Sequence, residues 1–136
     1  RQAAAGLARV IEKPSLVLAS PKVRAAQTAD IIVRALHVDA AKLRTLDTLA
    51  TGPARAILDS LTPHAAVDRV ILVGHEPLLS ETIALLCAGQ LTRPVVEMKK
   101  AAAACVTTAP GVDGRLTFGT LNWLLPPKTL RALASS

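Results

Sequence analysis

The 136 residues suffice for one domain with its own core, and with 51% hydrophobic residues that core needs neither disulfides nor metal. A net charge of +6 is carried by dispersed residues, with Lys99-Lys100 the adjacent pair, and Phe118 and Trp123 are the only aromatics. This argues against a stacking platform for single-stranded nucleic acid and against a continuous basic face, and leaves two readings of the excess: solvated helix faces, or attraction of a small phosphorylated substrate.

Helical spacing of Ala3, Leu7, Val10 and Ile11 predicts a first helix ended by Pro14. The run Leu16-Val17-Leu18-Ala19 lacks alternation and reads as a strand covered on both faces, as in a parallel sheet. Ser20 suits an N-cap and Pro21 a first helical residue, opening a second helix to about Leu36 with Ala25, Ala29, Ile32 and Leu36 on one face. Residues 38–52 read as irregular. Gly52-Pro53 starts a third helix, striped by Ala54, Ile57, Leu58 and Leu61 and stopped at Thr62-Pro63. Arg69 to Val73 is a second buried-type strand, broken by Gly74-His75-Glu76-Pro77. A fourth helix carries Leu79, Ile83 and Leu86 and closes at Gly89. Residues 95–98 and 102–108 read as strands, Pro110 to Gly114 as a turn cluster, and Arg115 to Trp123 as the return strand of a hairpin. Pro126-Pro127 leads into a short terminal helix around Leu130 and Leu133. This order predicts an α/β fold: a three-layer α/β/α sandwich with a mostly parallel central sheet and an antiparallel edge hairpin.

Cys87 and Cys105 each sit in an apolar run and make neither a disulfide framework nor zinc-ligand spacing, which is consistent with a reduced compartment. No apolar stretch reaches spanning length, so a cytoplasmic protein without membrane partners is expected. The helical pattern is already running at Ala3, with no initiator Met and no cap before it. The expectation is a single domain over 1–136 whose first strand lies upstream.

Both buried strands end in an abrupt polar turn followed by a helix. In open parallel sheets, ligands bind at such carboxyl ends, where helix N-termini present free N–H groups. The first end gives Ser20-Pro21-Lys22-Val23-Arg24, the second Gly74-His75-Glu76-Pro77. A cation in a helix's first turn opposes the dipole, by roughly 0.3–1 kcal/mol, unless an anion joins it. Arg24 is either an exposed residue pairing with Asp30 or Glu76, or a planar fork for phosphate oxygens. His75 is either a rim histidine satisfied by a backbone carbonyl, or a phosphate-binding or proton-relaying imidazole; Gly74 allows close backbone approach beside it. Together the two make a cationic pocket sized for one phosphoryl group. His37 and His64, near the ends of the second and third helices, belong to the opposite rim and read as exposed or as partners of helix C-termini.

Ser20-Pro21-x-x-Arg24-Ala25-x-Gln27-Thr28-Ala29 resembles the second phosphate-binding block of the histidine phosphatase superfamily, which has the phosphoglycerate mutase-like fold. Val70 to Pro77 resembles the strand and loop that carry that family's second catalytic histidine. The similarity runs across nearly the whole chain, and the short size and Gly-His-x-Pro loop look most like bacterial SixA-type phosphohistidine phosphatases. The resemblance implies that Arg24 binds the phosphoryl oxygens and that His75 holds and stabilises them in the transition state. It implies a nucleophilic histidine in an Arg-His-Gly motif, a phosphohistidine intermediate hydrolysed by water, and no metal or other cofactor. The chain contains no Arg-His-Gly; in the family that motif ends a strand upstream of the first helix seen here. The 136 residues by themselves are therefore expected to be inactive. Asp47 is the candidate weak acid, with a surface turn as its other reading, and Lys99 and Lys100 either flank the pocket mouth or are solvated loop charges.

The leading expectation is a phosphatase acting on phosphohistidine in proteins, or on a small phosphorylated metabolite. The competing classes are an inactive module that recognises phosphorylated partners, and a basic nucleic-acid-binding protein. A mutase is disfavoured because little chain remains to build a lid over a second phosphate site.

Overall fold

In the computed structural model, which describes residues 1–89, 96–110 and 116–135, the run Leu16-Val17-Leu18-Ala19 forms β1 (Leu16–Ala19) at the centre of a parallel sheet. The order is β2-β1-β3, with β2 at Leu43–Thr45 and β3 at Val70–Val73. All of β1 is buried because helices cover both faces. Val17 and Ala19 pack with α1 (Gln2–Val10) and α2 (Val23–Ala35). Leu16 and Leu18 pack with α3 (Thr48–Thr51), α4 (Ala54–Leu61) and α5 (Leu78–Ala88). An apolar run without polar alternation is stable only between two such layers, where burying a residue such as Leu18 is worth about 1.5–3 kcal/mol.

The last third forms the expected hairpin, β4 (Ala103–Pro110) against β5 (Leu116–Leu125), followed by α6 (Pro127–Ala134). The hairpin makes its own two-stranded antiparallel sheet. β5 packs on α5, and Gly119 makes room there: a Cβ on it would come within 2.9 Å of the Leu86 Cβ. α6 lies on α1, where Gly6 abuts the backbone of Leu130. The fold is thus mixed α/β, with helices on both faces of a parallel centre and an antiparallel pair beside it.

Several local expectations are corrected. α1 stops at Val10, well before Pro14, because Ile11 is already extended (φ −120°, ψ 154°). Ser20 does not cap α2, which starts at Val23 behind an N-cap at Lys22 with no side-chain bond. The Ser20 hydroxyl instead accepts the Lys22 N–H at 3.2 Å within the turn. Residues 38–52 are ordered into a 3-10 turn (Ala40–Lys42), β2 and α3. β2 has three residues, and Arg44 and Thr45 are exposed, so no apolar pattern announces it. Residues 96–98 carry no strand. Position 95, the turn at 111–114 and Arg115 lie outside the described residues.

Candidate functional site

β1 and β3 run in matched register, from Leu16 opposite Val70 to Ala19 opposite Val73. Ser20 and Gly74 therefore leave the sheet side by side, and the Ser20 N–H still donates to the Val73 carbonyl at 2.9 Å. One residue further on, His75 Nε2 lies 3.0 Å from the Ser20 hydroxyl. The carbonyl reading of His75 is thus replaced by a side-chain bond that ties the two strand ends together.

The loop is pinned on its other side as well. The His75 carbonyl accepts the Leu79 N–H at 3.1 Å, and the Glu76 carboxylate accepts the Ser80 N–H at 2.9 Å and the Ser80 hydroxyl. Glu76 satisfies a first-turn donor of α5 and complements its dipole. A Cβ on Gly74 would meet Leu79 and Leu49 side chains at 3.4–3.5 Å, ordinary contact, so protein packing alone does not demand glycine there.

Arg24 stands in the first turn of α2, whose N–H groups receive no side-chain cap. Arg24 is the second residue of the helix, at the end that follows Ser20 in the chain. Both expected neutralising partners are engaged elsewhere: Asp30 with Arg34 at 3.2 Å, and Glu76 with Ser80. Arg24 is exposed and forms no ion pair among the described residues. An uncapped helix start with an unneutralised guanidinium favours an anion.

Asp47 lies at the same rim, since the preceding Leu46 N–H donates to the Ala19 carbonyl at 2.9 Å. Its carbonyl accepts the Ala50 and Thr51 N–H groups, while its exposed carboxylate makes no cap bond to α3. His37 follows the C-terminus of α2, exposed and with φ 55°, and His64 closes a 3-10 turn behind α4. Both sit away from the carboxyl ends of the strands, as expected. Lys99 and Lys100 are exposed.

A cavity of about 210 Å³ opens on the other side of Ser20, between the ends of β1 and β2 and the start of α2. Ser20, Pro21, Arg44 and Thr45 line it over an alanine-rich floor; Arg24 and His75 do not. Cys87 does not offer an alternative nucleophile. It sits on the last turn of α5, about 14 Å along the helix from its start, and burial pushes its thiol up against a smaller opposing effect of a backbone bond to Leu121. Among the described residues no cluster of His, Cys, Asp and Glu could hold a metal ion. No helix among them is long and apolar enough to cross a membrane.

The element missed in reading the sequence is the role of Ser20. Its place before Pro21 suggested a cap, and nothing local revealed that a histidine 55 positions away would take its hydroxyl.

These strands, helices and strand-end loops define a fold of the histidine phosphatase type. More narrowly, it is the fold of the SixA proteins. The chain is similar to the structure of the protein histidine phosphatase SixA complexed with tungstate, at 26% identity and a TM-score of 0.74, over 93% of this chain and 80% of that one. It is also similar in fold to a structure assigned as the phosphohistidine phosphatase SixA from Agrobacterium tumefaciens, at 21% identity and a TM-score of 0.66, over 93% and 77% of the two chains. No protein-family model matches the chain, and no curated protein matches it by sequence.

Proposed function

We propose that this domain removes a phosphoryl group from phosphohistidine in a protein partner, with Arg24 and His75 binding the phosphoryl oxygens. The observation that carries the reading is the Ser20–His75 bond across the strand ends, together with an Arg24 guanidinium in the first turn of α2 that forms no ion pair among the described residues. The tungstate held by the similar SixA structure is a tetrahedral oxyanion, a shape to which a guanidinium and an imidazole N–H can both donate. Fixed cations stabilise charge on the equatorial oxygens of a transferring phosphoryl group.

The nucleophile in this proposal is the histidine of an Arg-His-Gly segment upstream of Arg1, on a strand parallel to β3. Two features support it. The outer edge of β3 has no ladder partner among the described residues, although Val70, Ile71 and Leu72 are apolar and only half-buried. α1 also shares the face of α2, as a right-handed crossover from beyond β3 to β1 requires. The histidine nitrogen attacks phosphorus as the bond to the substrate nitrogen breaks, and the departing imidazole takes a proton. Water then releases phosphate. An imidazole leaves readily once protonated, so Asp47 is asked for no more than weak acid assistance.

The test is hydrolysis of a phosphohistidine peptide. The 136-residue chain is expected to show none, whereas the protein extended upstream through Arg-His-Gly turns over and can be trapped phosphorylated. Turnover by the 136 residues alone contradicts the assignment of the nucleophile. An upstream sequence without histidine at that strand end favours a module that only binds phosphorylated partners. In either protein Arg24→Ala is expected to weaken orthovanadate or phosphate binding about tenfold to a hundredfold, the worth of hydrogen bonds to a charged group. Calorimetric titration checks it, and unchanged affinity removes Arg24 from the site.

A further inference from the structure

We propose that Ser20 is the positioning residue for His75, and that its hydroxyl hydrogen changes partner when an oxyanion binds. This rests on the phosphoryl-binding reading above. Ser20 is 1% exposed in the free structure but lines the cavity at the ends of β1 and β2, so its hydrogen bonds are made within the protein or to a group that enters there. Its oxygen accepts the Lys22 N–H at 3.2 Å and lies 3.0 Å from His75 Nε2.

A hydroxyl has one hydrogen and two lone pairs. Lys22 occupies one lone pair, which leaves two arrangements toward the ring. Against neutral imidazole, Ser20 donates to Nε2 and thereby selects the tautomer protonated on Nδ1. Against imidazolium, which takes its extra proton from solvent, Nε2–H donates to the second lone pair and the serine hydrogen is released. A buried hydroxyl hydrogen with no acceptor is costly, so the second arrangement is stable only when an acceptor arrives. A phosphoryl oxygen supplies that acceptor and the negative charge that favours the cationic ring.

Oxyanion binding, ring charge and hydroxyl orientation are therefore one coupled event. The ring keeps a partner for Nε2 throughout, so it need not rotate as it becomes charged. Nδ1 has no protein partner among the described residues and carries a proton in both arrangements, which leaves it as a standing donor. The backbone bond from Leu79 and the Glu76–Ser80 pair hold the loop while this happens.

The test is nitrogen NMR of 15N-histidine-labelled protein, with the His75 signals assigned by His75→Gln, together with orthovanadate titration. In the free wild-type protein the neutral His75 ring is expected as the Nδ1–H tautomer, shifting to imidazolium on saturation with orthovanadate. Ser20→Ala and the near-isosteric Ser20→Cys are expected to lose the tautomer preference and to weaken orthovanadate roughly tenfold, with Ser20→Thr restoring both. A purely packing role for Ser20 would move the melting temperature and leave the His75 tautomer untouched. An unchanged tautomer and affinity in both Ser20→Ala and Ser20→Cys overturn the proposal and leave the phosphoryl-binding reading intact. Failure of the wild-type protein to bind orthovanadate overturns that underlying reading, and the coupling with it.

Discussion

On the proposed function, replacing His75 by alanine in a protein that carries the proposed Arg-His-Gly segment is expected to lower kcat by about 10²–10³, the usual cost of removing one preorganised donor to a developing oxyanion. The fold should survive. His75 is only partly buried, and its one side-chain bond among the described residues is to Ser20, so the stability cost is about 1 kcal/mol. Steady-state hydrolysis of a phosphohistidine peptide, read beside thermal unfolding, separates the two effects. A variant that turns over like wild type removes His75 from the chemistry, whereas one that fails to fold shows that the strand-end bond carries more of the structure than its single contact implies.

Gly6→Ala is expected to produce the largest loss of stability among single substitutions in the helical layer. α1 and α6 touch through this glycine, and a Cβ there would overlap the Leu130 carbonyl. The obstacle is backbone rather than a flexible side chain, so the helices must separate, and Leu130, 2% exposed, loses its packing. A cost of about 3 kcal/mol, or about 10 °C in Tm, is the expected scale for overpacking at such a seam. Circular dichroism melting measures it, and Gly6→Ala melting with the wild type would show that α6 does not lie against α1. Orthovanadate affinity of the folded fraction is expected to be unchanged, because the seam lies outside the site.

What could be read from residues alone followed the strength of the local pattern. Leu16 to Ala19 and Val70 to Val73 are continuous apolar runs, and both are strands with the expected bounds, or within a residue of them. The stripe at Ala54, Ile57, Leu58 and Leu61 is buried as a set, and Gly89 closes α5 in the left-handed region at φ 73°. β2 escaped notice because Leu43 alone of its three residues packs on the core, while Arg44 and Thr45 are exposed and held by the backbone ladder to β1. Arg24 and His75 stood out through their positions after strands, and the sheet brings those two strand ends together. Ser20 was misread for the same reason that β2 was missed: its partner is distant in the chain, and local preference for a cap was overridden by a tertiary bond.

Because β1 and β3 have equal lengths and level register, they act as matched rulers for the loops beyond them. Deleting one residue from β3 would draw His75 back by about 3.3 Å and turn the following side chains to the opposite face. The core could repack around such a change more readily than the site could tolerate it. Strand length in this domain is consequently a chemical parameter, and drift in it would part His75 from Ser20 while leaving a folded protein behind.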